Sequence, residues 1–325
     1  VLLRIGNFNA YKLGLKDRGT DAWKARVTAV RELAPDFLGL QEVVIDEAAT
    51  SRDQWDAEAA ETIAAFAADC GLTAAVPATP GRPHGVAMAA NTHRAWYTAA
   101  LWNPDTMPFA PGSYRPLGSP DFWHGLTVVA FDIGVGELLI VVVYHGDPFR
   151  PNWRTEEGLR IKGLLRRTGG VNPAVVVGDF NSVSAALRRR RWWHWRRKYY
   201  DAEPYLKQRH DDLEYQVQPH RIGKRFRRQL AYRQQTENLL RGGYMVDAAA
   251  HLDEPWHPTV GHVQDGQGDP DPWGKRRIDL ILASRPVAPA LTAYGIHGST
   301  AARAASDHLM PWITVDPSRI QKGHW

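Results

Sequence analysis

Six places in the 325-residue chain put a carboxylate, a carboxamide or an imidazole at the end of, or inside, an apolar run. Asn9 closes LLRIGNFN, Glu42 follows Leu40-Gln41, and His145 ends ELLIVVVYH. Asp179 and Asn181 stand two residues apart after an all-valine stretch, Asp279 lies within RIDLIL, and Asp307-His308 follow Ser306. A strand end holds a side chain rigidly while leaving it open to substrate. Carboxylates there can accept protons or bind hard cations, and imidazoles can carry charge near neutrality. Taken singly, each has an ordinary reading. Glu42 reads as a solvated strand-end carboxylate, Asp179 with Asn181 as an Asx turn, and His145 as a hydrogen-bonded histidine. Asp279 is harder to set aside, because a carboxylate among apolar neighbours needs a partner. The order Ser306-Asp307-His308 says little about a nucleophilic serine.

The elements that must position these groups follow from apolar periodicity. Residues 2–9, 37–44, 96–102, 126–133, 137–145, 174–177, 277–283 and 310–315 read as strands, and GVAMAA at 85–90 as another. Residues 21–33, 52–70 and 155–167 have helical spacing, and Gly71 supplies a stop for the second. Several strands are apolar throughout, so both of their faces must be covered, which calls for stacked sheets with helices outside. The sequence has no internal repeat and no long linker, so the economical organisation is one domain over residues 1–325 with an insertion.

In order and in strand context, Asn9, LQEV with Glu42, YH with His145, GDFN with Asp179 and Asn181, RIDLIL with Asp279, and SDH with Asp307-His308 resemble the endonuclease/exonuclease/phosphatase superfamily. The resemblance runs from residue 9 to residue 308. It implies an α/β (α+β) fold, a four-layered α/β/β/α sandwich of two mostly antiparallel sheets flanked by helices, DNase I-like. It also implies a metal-dependent phosphodiesterase, most simply a nuclease acting on DNA or alternatively RNA. Phosphodiester cleavage needs phosphate charge neutralised, a water deprotonated and the leaving oxygen stabilised. By resemblance Glu42 ligates Mg²⁺ (Mn²⁺ or Ca²⁺ as alternatives), with Asn9 and Asp307 completing or orienting the shell. Asp179 accepts the proton of the attacking water, Asn181 holds that water in line, Asp279 pairs with His308, and His145 contacts the phosphate. Tyr11 stands where some members place a second acid, so one metal site is expected. Arg94, Tyr97 and Arg115 are candidates for a further substrate contact, and Thr259 resembles a recurring family position.

The formal net charge of +5 is unevenly spread. Residues 188–233 hold 15 Lys and Arg against 5 Asp and Glu, together with nine aromatic residues, so the remainder is mildly acidic. This segment belongs to a basic, aromatic-rich, helical insertion over 184–244. Residues 187–200 read as a helix with Trp192, Trp195 and Tyr199 on one stripe, and 223–241 as a second. The stripe has an alternative reading as core contacts. Arg188, Arg189, Arg190 and Arg191 cannot share one buried face, and with Trp193, Arg196, Arg197 and Lys198 they are expected to meet nucleic acid. An anionic membrane, or a small or lipid phosphate under a lid, is the alternative partner. Cys70 is the only cysteine, which excludes an intrachain disulfide framework. No signal sequence follows Val1. The cytoplasm is expected, and the Ala-, Arg- and Pro-rich composition suggests a bacterial source.

Overall fold

The computed structural model describes residues 1–46, 48, 51–91, 93–188, 198–205, 216–222, 226–263 and 274–322. The strands of the first sheet are β1 (Leu3–Leu13), β2 (Phe37–Val44), β3 (Met88–Ala90) and β4 (Trp96–Trp102), joined late in the chain by β15 (Leu291–His297) and β16 (Met310–Val315). The second sheet contains β5 (Arg115–Leu117), β6 (Leu126–Phe131), β7 (Leu139–His145), β10 (Ala174–Asp179), β13 (Met245–Asp247) and β14 (Asp279–Ser284). Two small ribbons pair β8 (Arg166–Arg167) with β9 (Gly170–Val171) and β11 (Val217–Ile222) with β12 (Phe226–Ala231). The helices are α1 (Asp21–Leu33), α2 (Arg52–Cys70), α3 (Pro151–Leu165), α4 (Gln234–Leu240), α5 (Ala248–His251) and α6 (Thr300–Ala305).

The sheet orders are β15-β16-β1-β2-β4-β3 and β13-β14-β10-β7-β6-β5. Each has a single parallel pair at its middle, β1 with β2 and β7 with β10, joined by a crossover through α1 and α3 respectively. The other pairings are antiparallel, as expected for this sandwich. Alternation along the strands explains the layering. Val141, Val143, Val175, Val177 and Ile281 join Ile5, Phe37 and Ile313 in the core between the sheets. Their neighbours Val142, Tyr144, Val176, Leu280 and Leu282 pack outward against Ile161 and Leu165 of α3 and Leu239 of α4. On the opposite side Phe8, Leu38 and Leu40 pack against α1, α2 and α6. Strands buried on both faces thus account for the continuously apolar runs, and four layers result.

Local signals place the ends. Thr20 caps α1 by accepting from Trp23 N, Ser51 and Gln54 cap α2, and Gly71 ends α2 at φ 78°. Helix α3 begins a turn earlier than its apolar spacing suggests, because Pro151 is at the first turn. Close approach between the sheets needs Gly39, and close approach of β10 to its neighbour β7 needs Gly178. A Cβ on Gly39 would lie 2.4 Å from Val177 Cγ2 in the facing sheet, and one on Gly178 would lie 2.0 Å from the Tyr144 carbonyl oxygen. Among the described residues no helix is long and apolar enough to cross a membrane.

The insertion departs from the helical reading where it is described. Leu187 forms an antiparallel bridge with Tyr199, and Arg188 N donates to Lys198 O at 2.9 Å, so the two ends of the Arg/Trp run pair as stems. Residues 189–197 lie outside the described part, including Trp192 and Trp195 of the proposed stripe. Of the helix expected over 223–241, residues 223–225 lie outside the described part, 226–231 form strand β12 and only 234–240 form the short α4. In the pairing of β11 with β12, Val217 and Ala231 join Tyr205, Val260 and Ile278 in a small core, a packing that helical spacing does not register.

Candidate active site

The inward-facing rows of both sheets end in polar residues at one end of the sandwich. Asp179 is in register with His145 on one side and with Asp279 on the other, so three adjacent strands present a row of imidazole, carboxylate and carboxylate. All three continue the inward alternation of Val143, Val177 and Ile281. From the first sheet, Asn9 reaches across, its Nδ2 donating to Asp179 Oδ2 at 3.1 Å and to Glu42 Oε1 at 3.0 Å. Its Oδ1 accepts from Tyr11 N, which fixes the carboxamide so that the NH₂ faces both carboxylates. Simple alternation would turn Glu42 outward. A bulge sets Gln41 and Glu42 opposite the single residue Thr98, and Glu42 adopts φ 59°, bringing its carboxylate to Asn9.

The turn Ser306-Asp307-His308 is fastened to β1 by Ser306, whose Oγ donates to Asn9 O at 2.7 Å and accepts from His308 N at 3.0 Å. Its buried hydroxyl therefore orients the turn. His308 Nδ1 lies 2.8 Å from Asp279 Oδ2, and its Nε2 lies 4.0 Å from Asp179 Oδ2. His145 Nε2 approaches the same Asp179 oxygen at 3.8 Å. Thr259 Oγ1 accepts from the backbone N–H of Ile278 and Asp279 at 3.2 Å each, holding the start of β14. Asn181, at φ 48°, donates Nδ2 to Gly146 O and its backbone N–H to Asp179 Oδ1 at 2.8 Å. The Asx-type turn is thus present, and it aims Asp179.

The two histidines differ in charge. Burial opposes an imidazolium at His308, but Asp279, with Asp179 and Asp307 beyond it, holds its pKa well above 6.5. Burial, reinforced by His124, drives His145 well below 6.5. Burial and the neighbouring Asp279 raise Asp179 above the usual carboxylate range, against the pull of His308 and His145. Glu42 is pushed up to about 6 by burial and by the carboxylates of Asp179 and Asp307, with His308 and Asn9 opposing. Among the described residues, Asp179, Asp279 and His308 have potential ligand atoms within 4.8 Å of one another. A protonated His308 bonded to Asp279 is a poor metal ligand, so this trio suits proton handling better than cation binding.

The structure therefore brings together Asn9, Glu42, His145, Asp179, Asn181, Asp279, Asp307 and His308. Arg188 and Lys198 are exposed at the stems of the basic run, while Arg189, Arg190, Arg191, Trp193, Arg196 and Arg197 lie outside the described residues. Tyr97 is buried with its hydroxyl donating to Asp56 at 2.5 Å, behind the site. Sequence reasoning missed His124, whose ring stacks on His145 at 4.0 Å and 13°, with Trp96 on the same ring at 5.4 Å. Burial lowers His124 to about 3, so it stands as an uncharged plate behind His145. Also missed was Glu157 of α3, pushed up to about 7 by burial. It accepts from Trp123 N at 2.7 Å, Asp147 N at 3.1 Å and the Tyr144 hydroxyl. One carboxyl thus ties the loop carrying His124 to the strand end carrying His145.

The insertion is fastened beside this site. Arg277, fully buried, pairs with Asp201 through Nε and Nη2 at 2.9 Å each and with Asp247 at 2.7 Å, with the Tyr200 ring 4.9 Å away. Ser184 N donates to Asp201 Oδ2, and Arg233 bonds Glu203, Asp201 O and Ser184 O.

A sequence model of the Endonuclease/Exonuclease/phosphatase family matches residues 6–308. No curated protein matches the chain. Among solved structures, an AP endonuclease from Archaeoglobus fulgidus is similar at 17% identity and TM-score 0.54, over 97% of this chain and 99% of that one. D. rerio TDP2, solved with a single-strand DNA product, is similar at 12% identity and TM-score 0.56, over 97% and 99%. A mannosyl-6-phosphatase from Bacteroides thetaiotaomicron is similar at 14% identity and TM-score 0.53, over 97% and 100%. At such identities the likeness is one of fold. The family match spans nearly the whole chain and every residue of the cluster, so the protein belongs to the endonuclease/exonuclease/phosphatase family of phosphoester hydrolases.

Proposed function

We propose that the protein is a divalent-metal-dependent phosphodiesterase acting on nucleic acid, DNA before RNA. The observation that carries the reading is Asp179, a buried carboxylate of raised pKa set between a neutral imidazole, His145, and a charged one, His308. Asp179 takes the proton of the attacking water, its raised pKa making it a stronger base near neutral pH. Asn181 gives its NH₂ to Gly146 and has its carboxamide oxygen to orient that water. His308 donates from Nε2 to a phosphate oxygen as negative charge develops, and Asp279 keeps it protonated and aimed. His145 contacts the phosphate as a neutral donor.

Glu42 and Asp307 would hold the cation, with Asn9 orienting Glu42. Burial, with the carboxylates of Asp179 and Asp307 adding to it, lifts Glu42 to about 6, a cost that a hard divalent ion would relieve, and oxygen donors suit Mg²⁺. When bound, Mg²⁺ supplies neutralisation of the phosphate and stabilisation of the leaving oxygen. Nucleic acid is favoured over a small phosphate because the basic run leaves the core only a few residues after Asn181, from stems anchored by Asp201 and Arg277. Family relatives of the same fold include an AP endonuclease and TDP2 with its DNA product. The test incubates plasmid, single-stranded DNA, RNA and p-nitrophenyl phosphate with Mg²⁺ or EDTA. Nicking abolished by EDTA and by Asp179→Ala supports the reading, and turnover of the monoester alone overturns it.

A further inference from the structure

Beyond the catalytic cluster, rings and a guanidinium continue outward from His145. His124 stacks on His145, and Trp123 meets His124 edge-on at 6.3 Å. The Arg150 guanidinium lies over Trp123 at 4.5 Å and over Trp153 at 4.7 Å. Phe149 stands perpendicular to Trp123 at 6.3 Å, and it is 62% exposed. Phe149 and Arg150 belong to the loop Gly146-Asp147-Pro148-Phe149-Arg150 that leads directly from His145 into α3. That loop is rigidly built. Buried Asp147 accepts from Phe149 N at 2.8 Å, Arg150 N at 3.0 Å and Arg150 Nε at 2.7 Å, and its own N–H is held by Glu157. Phe149 packs edge-on against Trp123 yet stays largely exposed on so fixed a loop, and the half-exposed Arg150 beside it is held by Asp147 through Nε.

We propose that Phe149 and Arg150 form the subsite for the nucleotide flanking the scissile phosphate on a single strand, the base stacking on the Phe149 ring and its phosphate meeting the Arg150 guanidinium. The inference rests on the nucleic-acid reading above and deepens it. An unpaired base offers a π-face, which a base inside a duplex does not, and aromatic stacking tolerates any sequence. The guanidinium, held by Asp147 and lying over the Trp123 and Trp153 rings, matches phosphate geometry and loses little freedom on binding. Single-stranded substrate, or a duplex end able to fray, is therefore preferred to intact duplex.

The experiment measures binding in EDTA of oligo(dT) and of an abasic oligomer of equal length, with wild type, Phe149→Ala, Phe149→Trp and Arg150→Gln. Urea midpoints check that each variant folds. Phe149→Ala weakens oligo(dT) roughly 5- to 100-fold while binding the abasic oligomer as wild type does. Phe149→Trp restores oligo(dT) binding, and Arg150→Gln weakens both oligomers. Equal loss on both oligomers in Phe149→Ala, or no loss on either, overturns the subsite while leaving the nuclease reading intact if wild type still cleaves the oligonucleotide. Wild type that neither binds nor cleaves any oligonucleotide, yet hydrolyses bis(p-nitrophenyl) phosphate, overturns the nucleic-acid reading and the subsite with it.

Discussion

Asp279→Asn isolates one charge in the candidate site. The side chain keeps its shape, and its Oδ1 can still accept from His308 Nδ1 where Asp279 Oδ2 now lies 2.8 Å away. What disappears is the principal charge that holds His308 well above 6.5 against burial. A hydrogen bond to a charged partner contributes about 1.5–3 kcal/mol, which corresponds to about 1–2 pH units in the imidazole. Asp179 at 4.0 Å and Asp307 still attract the proton, so the fall is partial. The alkaline limb of kcat/KM against pH, measured with bis(p-nitrophenyl) phosphate in Mg²⁺, should therefore move about 1–2 units toward acid. Turnover at the optimum should drop roughly 10²- to 10⁴-fold, the usual contribution of a positioned acid. Stability carries the same signature. Because the folded-state pKa of His308 is raised, its protonation favours the native state fully below about 6.5, and that contribution drains away as pH rises through the raised value. Urea unfolding in EDTA should show Asp279→Asn about 1.5–2.5 kcal/mol less stable than wild type at pH 6, the gap closing toward high pH. An alkaline limb that stays in place, with a pH-independent stability difference, would refute the dyad.

Three further outcomes follow from the same geometry. Glu42→Gln should abolish metal-dependent turnover yet stabilise the EDTA-treated protein by about 1–2 kcal/mol at pH 8, since a carboxyl lifted from 4.5 to about 6 costs the fold stability as pH rises between those values and fully above them. Urea midpoints at pH 4.5 and 8 check it, and a destabilised variant at pH 8 contradicts it. Arg277→Ala leaves Asp201 and Asp247 buried without their cation, so it should cost about 3–5 kcal/mol and hasten proteolysis within 188–205; a loss under about 1 kcal/mol counts against that anchor. Replacing Arg188 to Arg191 with Gln should flatten the salt dependence of DNA binding by about 0.7–0.9 in log–log slope for each phosphate those arginines neutralise. An unchanged slope assigns them to another partner.

The elements that sequence periodicity describes well are those whose neighbours lie in the layers on either side. Asp21–Leu33, Phe37–Val44, Arg52–Cys70, Trp96–Trp102 and Met310–Val315 have the bounds that apolar spacing and capping residues assign them. The insertion does not, because its anchor is a buried ion pair between Asp201 and Arg277, 76 residues apart, and no periodicity encodes that. Glu42 is legible from its motif, but its orientation depends on a bulge that alternation would deny. His124 escapes a reading that looks for polar residues mainly where apolar strands end. It precedes the start of β6, which runs antiparallel to β7, so the start of one strand lies beside the end of the other, where His145 stands. Asp279 is the parallel case at the start of β14 beside the end of β10. A search of strand ends that also scans the starts of antiparallel neighbours selects Trp123-His124-Gly125.

The two sheets contribute different chemistry to the cluster, and two cross-sheet bonds join them. Asn9, Glu42 and the Asp307-His308 turn before β16 come from the first sheet; His145, Asp179 and Asp279 come from the second. Asn9 reaches over to Asp179 and His308 reaches over to Asp279, so the candidate site is complete only when the sandwich is closed at that end. Closure is controlled deeper in the core, where Gly39 lets β2 approach Val143 and Val177 of the facing sheet. A Cβ there would overlap Val177 Cγ2, and parting the sheets to relieve that overlap would lengthen both bonds without touching a residue of the candidate site. Close packing resists such a change in spacing, so Gly39→Ala should lower stability and turnover together, and a variant that loses stability with turnover intact would refute the coupling.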